Sequence, residues 1–122
     1  MKQVIFDSSF LMAVVEQPTT WYGDIVQGLG KFEPVMLECV REELQKIASG
    51  QGSRARTARV ALGLAGEFKA AECGSASVDD EIISASASAG AVLATVDSDL
   101  ARSARGAHLE VVTLRRGRVV IG

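Results

Sequence analysis

The sequence predicts an α/β domain with a mainly parallel central sheet, and three observations predict it. Short apolar runs, "QVIF", "PVML" and "AVLATV", alternate along the chain with stretches of helical period, the pattern of successive β-α units. Apolar runs of this kind are buried strands. At 122 residues, with no internal repeat, the chain has the size of one domain around one core, so the reading is a single domain over 1–122.

Gln3 to Phe6 reads as the first strand, because Val4, Ile5 and Phe6 run unbroken into a polar "DSS". Ser9 to Val15 reads as a short helix that ends near Pro18. Thr20 to Leu29 is amphipathic, with Trp21, Ile25, Val26 and Leu29 on one face and Gly30 behind them. "PVML", from Pro34, is a second strand, and a helix follows from about Cys39 to Ala48. "SGQGSRART" is a connecting loop that leads into a helix from about Arg54 to Leu64. Phe68 to Ala71 is a third strand, and Val78 to Ala89 is a small-residue helix closed by Gly90. "AVLATV" (91–96) has the composition of an interior strand. After a brief helix over 99–105, "LEVVTL" and "RVVI" flank "RRG" as a terminal hairpin.

Composition narrows the class. A hydrophobic fraction of 48% and a charged fraction of 23% are ordinary for a soluble globular protein. No apolar stretch approaches the roughly 20 residues of a membrane helix. Asp7 interrupts any leader-like start, so no membrane association and a cytoplasmic location are expected. Cys39 and Cys73, the only cysteines, form no C-x-x-C and lie far from the single histidine, His108. They read as two buried thiols, neither a zinc site nor a disulfide framework.

The net charge of −2 is unevenly spread. Between 70 and 101 there is no Lys or Arg, while Glu72, Asp79, Asp80, Glu81, Asp97 and Asp99 are acidic. Five arginines lie between 102 and 118 against one acid, Glu110, and Arg54, Arg56 and Arg59 form a second basic group. The plainer reading is a set of solvated faces. The functional one is a polyanion held beside an acidic centre.

Strand-to-helix junctions of such sheets gather at the carboxyl edge, where ligands bind, and four junctions here carry acids. Asp7 ends the first strand and Asp97 follows "AVLATV"; Glu42 and Glu43 lie early in one helix, and Asp79 and Asp80 open another. Each has a local explanation. Asp7 and Asp97 suit N-caps, Ser77 to Asp80 matches a capping box, and Glu42 and Glu43 suit the positive end of a helix dipole. The combination asks for more, because carboxylates crowded at one edge repel each other unless a cation lies between them. An all-oxygen donor set without His or Cys selects a hard ion, Mg²⁺ or Mn²⁺. Such ions stabilise the attacking and leaving oxygens of in-line phosphoryl displacement.

At this point the chain resembles the PIN-domain nucleases, over nearly its whole length. The resemblance rests on "VIFDSS", "VREEL", "DEIISASASAGA" and "LATVD" in that order, with "RARTARVALGLAGEF" similar to a helix of stand-alone archaeal members. It implies a three-layer α/β/α sandwich and a metal-dependent endoribonuclease that cleaves single-stranded RNA through attack of a metal-activated water. The implied metal-binding and catalytic acids are Asp7, Glu43, Asp80 and Asp97. Glu43 is preferred to Glu42 because it precedes Leu44, and Asp80 to Asp79 because Ile83 follows three residues later. Ser9 and Thr95 are supporting hydroxyls, and Asp99 is either an extra ligand or a helix N-terminal acid. Arg54, Arg56, Arg102 and Arg105 are candidate RNA contacts, and His108 reads as a surface or strand-end residue.

The resemblance further implies a homodimer, for which Trp21, Tyr22 and the face around Ile25 are interface or core in equal measure. Val96 stands where toxin members carry Asn or Arg, so the reading leans to RNA processing, with neither an antitoxin nor a ribosome-processing partner determinable. The alternative from another class is an inactive fold that binds RNA or protein without turnover. A phospho-accepting aspartate is disfavoured, since the chain has "DSS" in place of D-x-D and no Lys after Lys69.

Overall fold

In the computed structural model, which describes residues 1–122, the elements follow the order anticipated. They are β1 (Lys2–Phe6), α1 (Ser8–Glu16), α2 (Trp21–Leu29), β2 (Phe32–Leu37), α3 (Glu38–Ala48), α4 (Ser53–Leu64), β3 (Lys69–Ala71), α5 (Val78–Ala89), β4 (Val92–Ala94), α6 (Ser98–Gly106), β5 (Val111–Arg115) and β6 (Arg118–Ile121). One sheet runs β3-β2-β1-β4-β5-β6, parallel throughout except for the β5–β6 hairpin. Helices α1, α3 and α4 pack on one another, while α5 lies against β1, β4 and α6, and α6 against β5. The result is the three-layer α/β/α arrangement with a mainly parallel sheet.

The central strands explain the layers. Successive residues of a strand face opposite sides, yet Val4, Ile5 and Phe6 are all buried, as are Val92, Leu93 and Ala94. Both faces of the sheet are therefore covered. Phe6 is the hub of one face: the rings of Phe10, Trp21, Phe32 and Phe68 lie 5.5, 5.6, 6.3 and 5.1 Å from it. Trp21 and Ile25 thus belong to the intramolecular core, and of that helix Tyr22 and Val26 remain exposed.

Strand order positions the site. From β1 the chain builds outward through β2 to β3, then returns by way of α5 to lay β4 on the other side of β1. β1 and β4 are the neighbours at which the winding reverses, and ligands of open α/β sheets bind beyond the carboxyl ends of such a pair. Their register, Phe6↔Ala94, brings Asp7 level with Thr95.

Some boundaries differ from the sequence reading for physical reasons. β2 starts at Phe32, which pairs with Lys2. β3 pairs only with Val35–Leu37, so Pro34, which pairs with Val4 of β1, lies outside the β3 ladder and needs no N–H on that side. The two cysteines are a correction. Cys39 and Cys73 are joined as a disulfide with Cα atoms 6.0 Å apart, and neither is fully buried. The register explains it: Leu37 pairs with Ala71, and two residues beyond each stand Cys39 and Cys73. No helix is long and apolar enough to cross a membrane.

Candidate active site

Asp7 occupies the N-cap position of α1, but its side chain makes no capping bond. The carboxylate turns instead toward β4. Ser9 donates its hydroxyl to Asp7 Oδ2, and the fully buried Thr95 donates to the same oxygen at 2.9 Å. The lone pairs of these hydroxyls are also used: Val96 N–H donates to Ser9 Oγ at 3.1 Å and Asp97 N–H to Thr95 Oγ1 at 3.0 Å. A hydroxyl has one proton, so the 3.1 Å approach of Ser9 Oγ to Thr95 Oγ1 is a contact imposed by their common acceptor. Asp7 accepts both protons on Oδ2, and Oδ1 is left without a protein donor.

The other junction acids divide. Glu43 is half-buried one turn into α3 and accepts the Ser8 hydroxyl at 2.6 Å, whereas Glu42 is exposed. Asp97 caps α6, its Oδ1 accepting from Asp99 N–H at 2.9 Å and Leu100 N–H at 3.2 Å. Asp99 is exposed and paired with Arg102 at 3.0 Å, so its carboxylate is held away from the cluster. At the start of α5, Ser77 accepts the Asp80 N–H at 3.2 Å, closing half of the capping box.

The neighbour of Asp80 is where the charges meet. Asp79 is exposed as a residue, yet its carboxyl is held above the ordinary aspartate value of 3.8. Partial withdrawal from water is the largest cause, followed by the negative charges of Asp7, Asp97, Glu43 and Asp80. The structure therefore brings Asp7, Glu43, Asp79 and Asp97 into one electrostatic neighbourhood, with Asp80 next to it. Sequence reasoning passed over Asp79 although the helical phase carries a signal. Asp79 lies three and seven residues before Ile82 and Ser86, the buried positions of α5, on the stripe that faces the sheet. Ser8, the partner of Glu43, was missed because a hydroxyl beside an aspartate has no distinguishing local pattern.

Side chains with oxygen donors only, mutually repelling and contributed by three helix starts and a strand end, suit a hard divalent cation. Asp7 Oδ1 is the donor held ready. As the side chains stand, no three acids surround one point, so sharing an ion would require their side chains to rearrange.

The basic residues lie on both flanks. Arg54 lines a shallow groove with Ser8, Ser9 and Val96. Arg102 and Arg105 line another with Val96 and Asp97. Arg56 is exposed on α4 and His108 at the end of α6, the latter with φ 64°.

A family model described as a PIN like domain matches residues 4–118. Among solved structures, that of the PIN domain endonuclease Utp24 is similar with a TM-score of 0.81 and 23% identity, over 98% of this chain and 90% of that one. A domain of a functionally unknown protein from Methanocaldococcus jannaschii DSM 2661 gives 0.69 and 16%, over 97% and 94%. PAE2754 from Pyrobaculum aerophilum gives 0.58 and 21%, over 86% and 81%. At these identities the likeness to solved structures is one of fold. No curated protein sequence matches the chain.

Proposed function

The chain belongs to the PIN-like domain family, and on that premise we propose that it is a metal-dependent endoribonuclease acting on single-stranded RNA. The observation that carries the reading is Asp7: a 5%-exposed carboxylate at a helix start that caps nothing. It is fixed by two hydroxyls through one oxygen, and its charge is among those that raise the Asp79 carboxyl. A capping role needs none of that arrangement.

In this reading Asp7, Glu43 and Asp97, with Asp79 or Asp80 from α5, hold Mg²⁺ or Mn²⁺. Bound there, the cation supplies charge neutralisation at the phosphodiester and activation of a water for in-line attack. The protein supplies position. Thr95 and Ser9 fix the plane of the Asp7 carboxylate, Ser8 steadies Glu43, and the bonds that Asp97 Oδ1 makes to α6 set the direction of its other oxygen. Neither Ser9 nor Thr95 serves as nucleophile, since both protons are held by Asp7, and His108 stands apart from the cluster.

One observation favours a second reading, an inactive PIN fold that binds RNA or protein: no three acids surround one point. Incubation of labelled single-stranded RNA with Mn²⁺ separates the two. Wild type should cut internally and stop with EDTA, and Asp7→Asn, with its fold retained, should be at least about 100-fold slower, the scale of losing a transition-state interaction of about 2.7 kcal/mol or more. Full cleavage by Asp7→Asn would remove the nuclease assignment in this form. Retained RNA binding without cleavage in wild type would select the second reading.

A homodimer through the exposed Tyr22 and Val26 of α2 is proposed with it, and a monomer by sedimentation at micromolar concentration would dismiss it. The cytoplasm is the proposed location, from the RNA substrate. In a reducing compartment Cys39 and Cys73 would stand as thiols, except in the disulfide-rich intracellular proteins of hyperthermophiles.

A further inference from the structure

Four carboxylates repel the substrate that the proposed activity requires, so some part of the surface has to attract a polyanion close to them. A concave pocket of about 420 Å³ opens beside Asp97, between α6 and the end of β5, and three of its lining residues are Arg102, Arg105 and Arg115. Asp97 is the one acid that lines it, which leaves the lining net positive. Two of the guanidiniums are oriented by the protein: Arg102 by Asp99 at 3.0 Å, and Arg105, whose Nε donates to the Gly122 carbonyl at 3.1 Å. Arg115 is exposed and has no acidic partner, since the two ion pairs of the chain are Lys69–Glu33 and Arg102–Asp99. On the other side of Val96 lies a second groove of about 280 Å³, with Ser8, Ser9 and Arg54 in its lining. Val96 lines both. A net-positive pocket thus lies on one side of an apolar saddle, and on the other a groove in which Arg54 is the cation and Glu16 the acid.

We infer that the pocket formed by Arg102, Arg105 and Arg115 is a binding subsite for a backbone phosphate of the RNA strand, next to the phosphate that is cleaved. The inference rests on the RNA-cleaving reading above and adds to it a place and a course for the strand. The chain crosses Val96 from the Arg54 groove to the arginine pocket, with the acids beneath the crossing. Val96 leaves the saddle uncharged, so a sugar or base can pass over it without competing for the cation. Arg115 is the member that sequence reasoning did not single out, because its strand places it beside Arg102 and Arg105 only after β5 has paired with β4.

Arg115→Gln is the informative variant, since an exposed strand-end residue without a partner can change without disturbing the fold. A labelled single-stranded RNA oligomer is titrated at increasing salt in EDTA to obtain Kd, and KM is read from cleavage with Mn²⁺. Losing one phosphate contact should weaken binding at low salt and flatten the slope of log K against log salt by about 0.7. The triple change of Arg102, Arg105 and Arg115 to Gln should flatten it by up to about 2. Lys31→Gln, at the opposite edge of the sheet where β2 begins, is expected to leave both readouts unchanged. Wild-type slope and affinity in Arg115→Gln and the triple variant, with RNA still bound or cut, would overturn the subsite while the nuclease reading stands. An equal loss in Lys31→Gln would also overturn it, because the effect would then be one of overall charge. Wild-type protein that neither binds nor cleaves RNA would remove the nuclease reading and this inference together.

Discussion

Asp7 and Asp97 look alike in the sequence, each an aspartate where an apolar run gives way to a helix, and the structure separates them. Asp97 caps its helix through one oxygen, whereas Asp7 caps no backbone N–H and is held by the hydroxyls of Ser9 in α1 and Thr95 just past β4. That distinction depends on residue 95 lying beside residue 7, a contact across most of the chain that no local pattern contains. Asp79 carries the clearest consequence of the crowding. Because its folded-state value is raised, the native protein holds this proton more tightly than the unfolded chain does, and stability falls with pH where the two differ. The loss begins near 3.8, grows as pH rises through the raised folded-state value, and is complete above it. In the absence of divalent cations, Asp79→Asn should therefore melt above wild type at neutral pH, with the difference closing as pH falls to about 3.8. A calorimetric melting series across pH checks this. A melting temperature lowered by the substitution at neutral pH would show that Asp79 is paired favourably and not crowded.

Among the elements, those with local causes were legible. The Ser77 cap and the left-handed Gly90 end α5 where the residue types direct, and the Arg116–Gly117 turn, both residues at positive φ, joins the hairpin that "RRG" indicated. Boundaries set by pairing were less so: β2 gains Phe32 and Glu33 because β1 is there to pair with them. The choice between Asp79 and Asp80 hinged on the phase of α5, and a motif spacing to Ile83 pointed to one while the buried stripe of Ile82 and Ser86 points to the other. The disulfide was hidden for a related reason. A separation of 34 residues has no meaning until β2 and β3 are side by side, at which point the two cysteines become neighbours. This link joins the start of α3, which carries Glu43, to the segment leading into α5. Closing a loop of that length contributes roughly 3–4 kcal/mol on the chain-entropy account. Cys39→Ser together with Cys73→Ser should lower unfolding stability by about that amount in denaturant titrations, and an unchanged midpoint would mean that the link does not constrain the unfolded chain.

For the molecule as a whole, alternation of apolar runs and helical stretches announced the layers, and the order of acids announced the family. Neither contains the strand order. That the chain returns after β3 to lay β4 on the far side of β1 is what makes β1 and β4 the reversal point of the sheet and sets Asp7 and Asp97 at its carboxyl edge, and it follows from the geometry of crossovers between layers. The same topology brings α3 and α5 to that edge, so acids from four separated segments share one neighbourhood, with arginines from α4, α6 and β5 on its flanks. The central claim is that this neighbourhood exists to bind a divalent cation through Asp7. Its most direct test is calorimetric titration of Mn²⁺ into wild type and Asp7→Asn at low salt. Saturable binding in wild type that is lost in the folded variant is the predicted result. Equal binding by both proteins, or none by either, would contradict it.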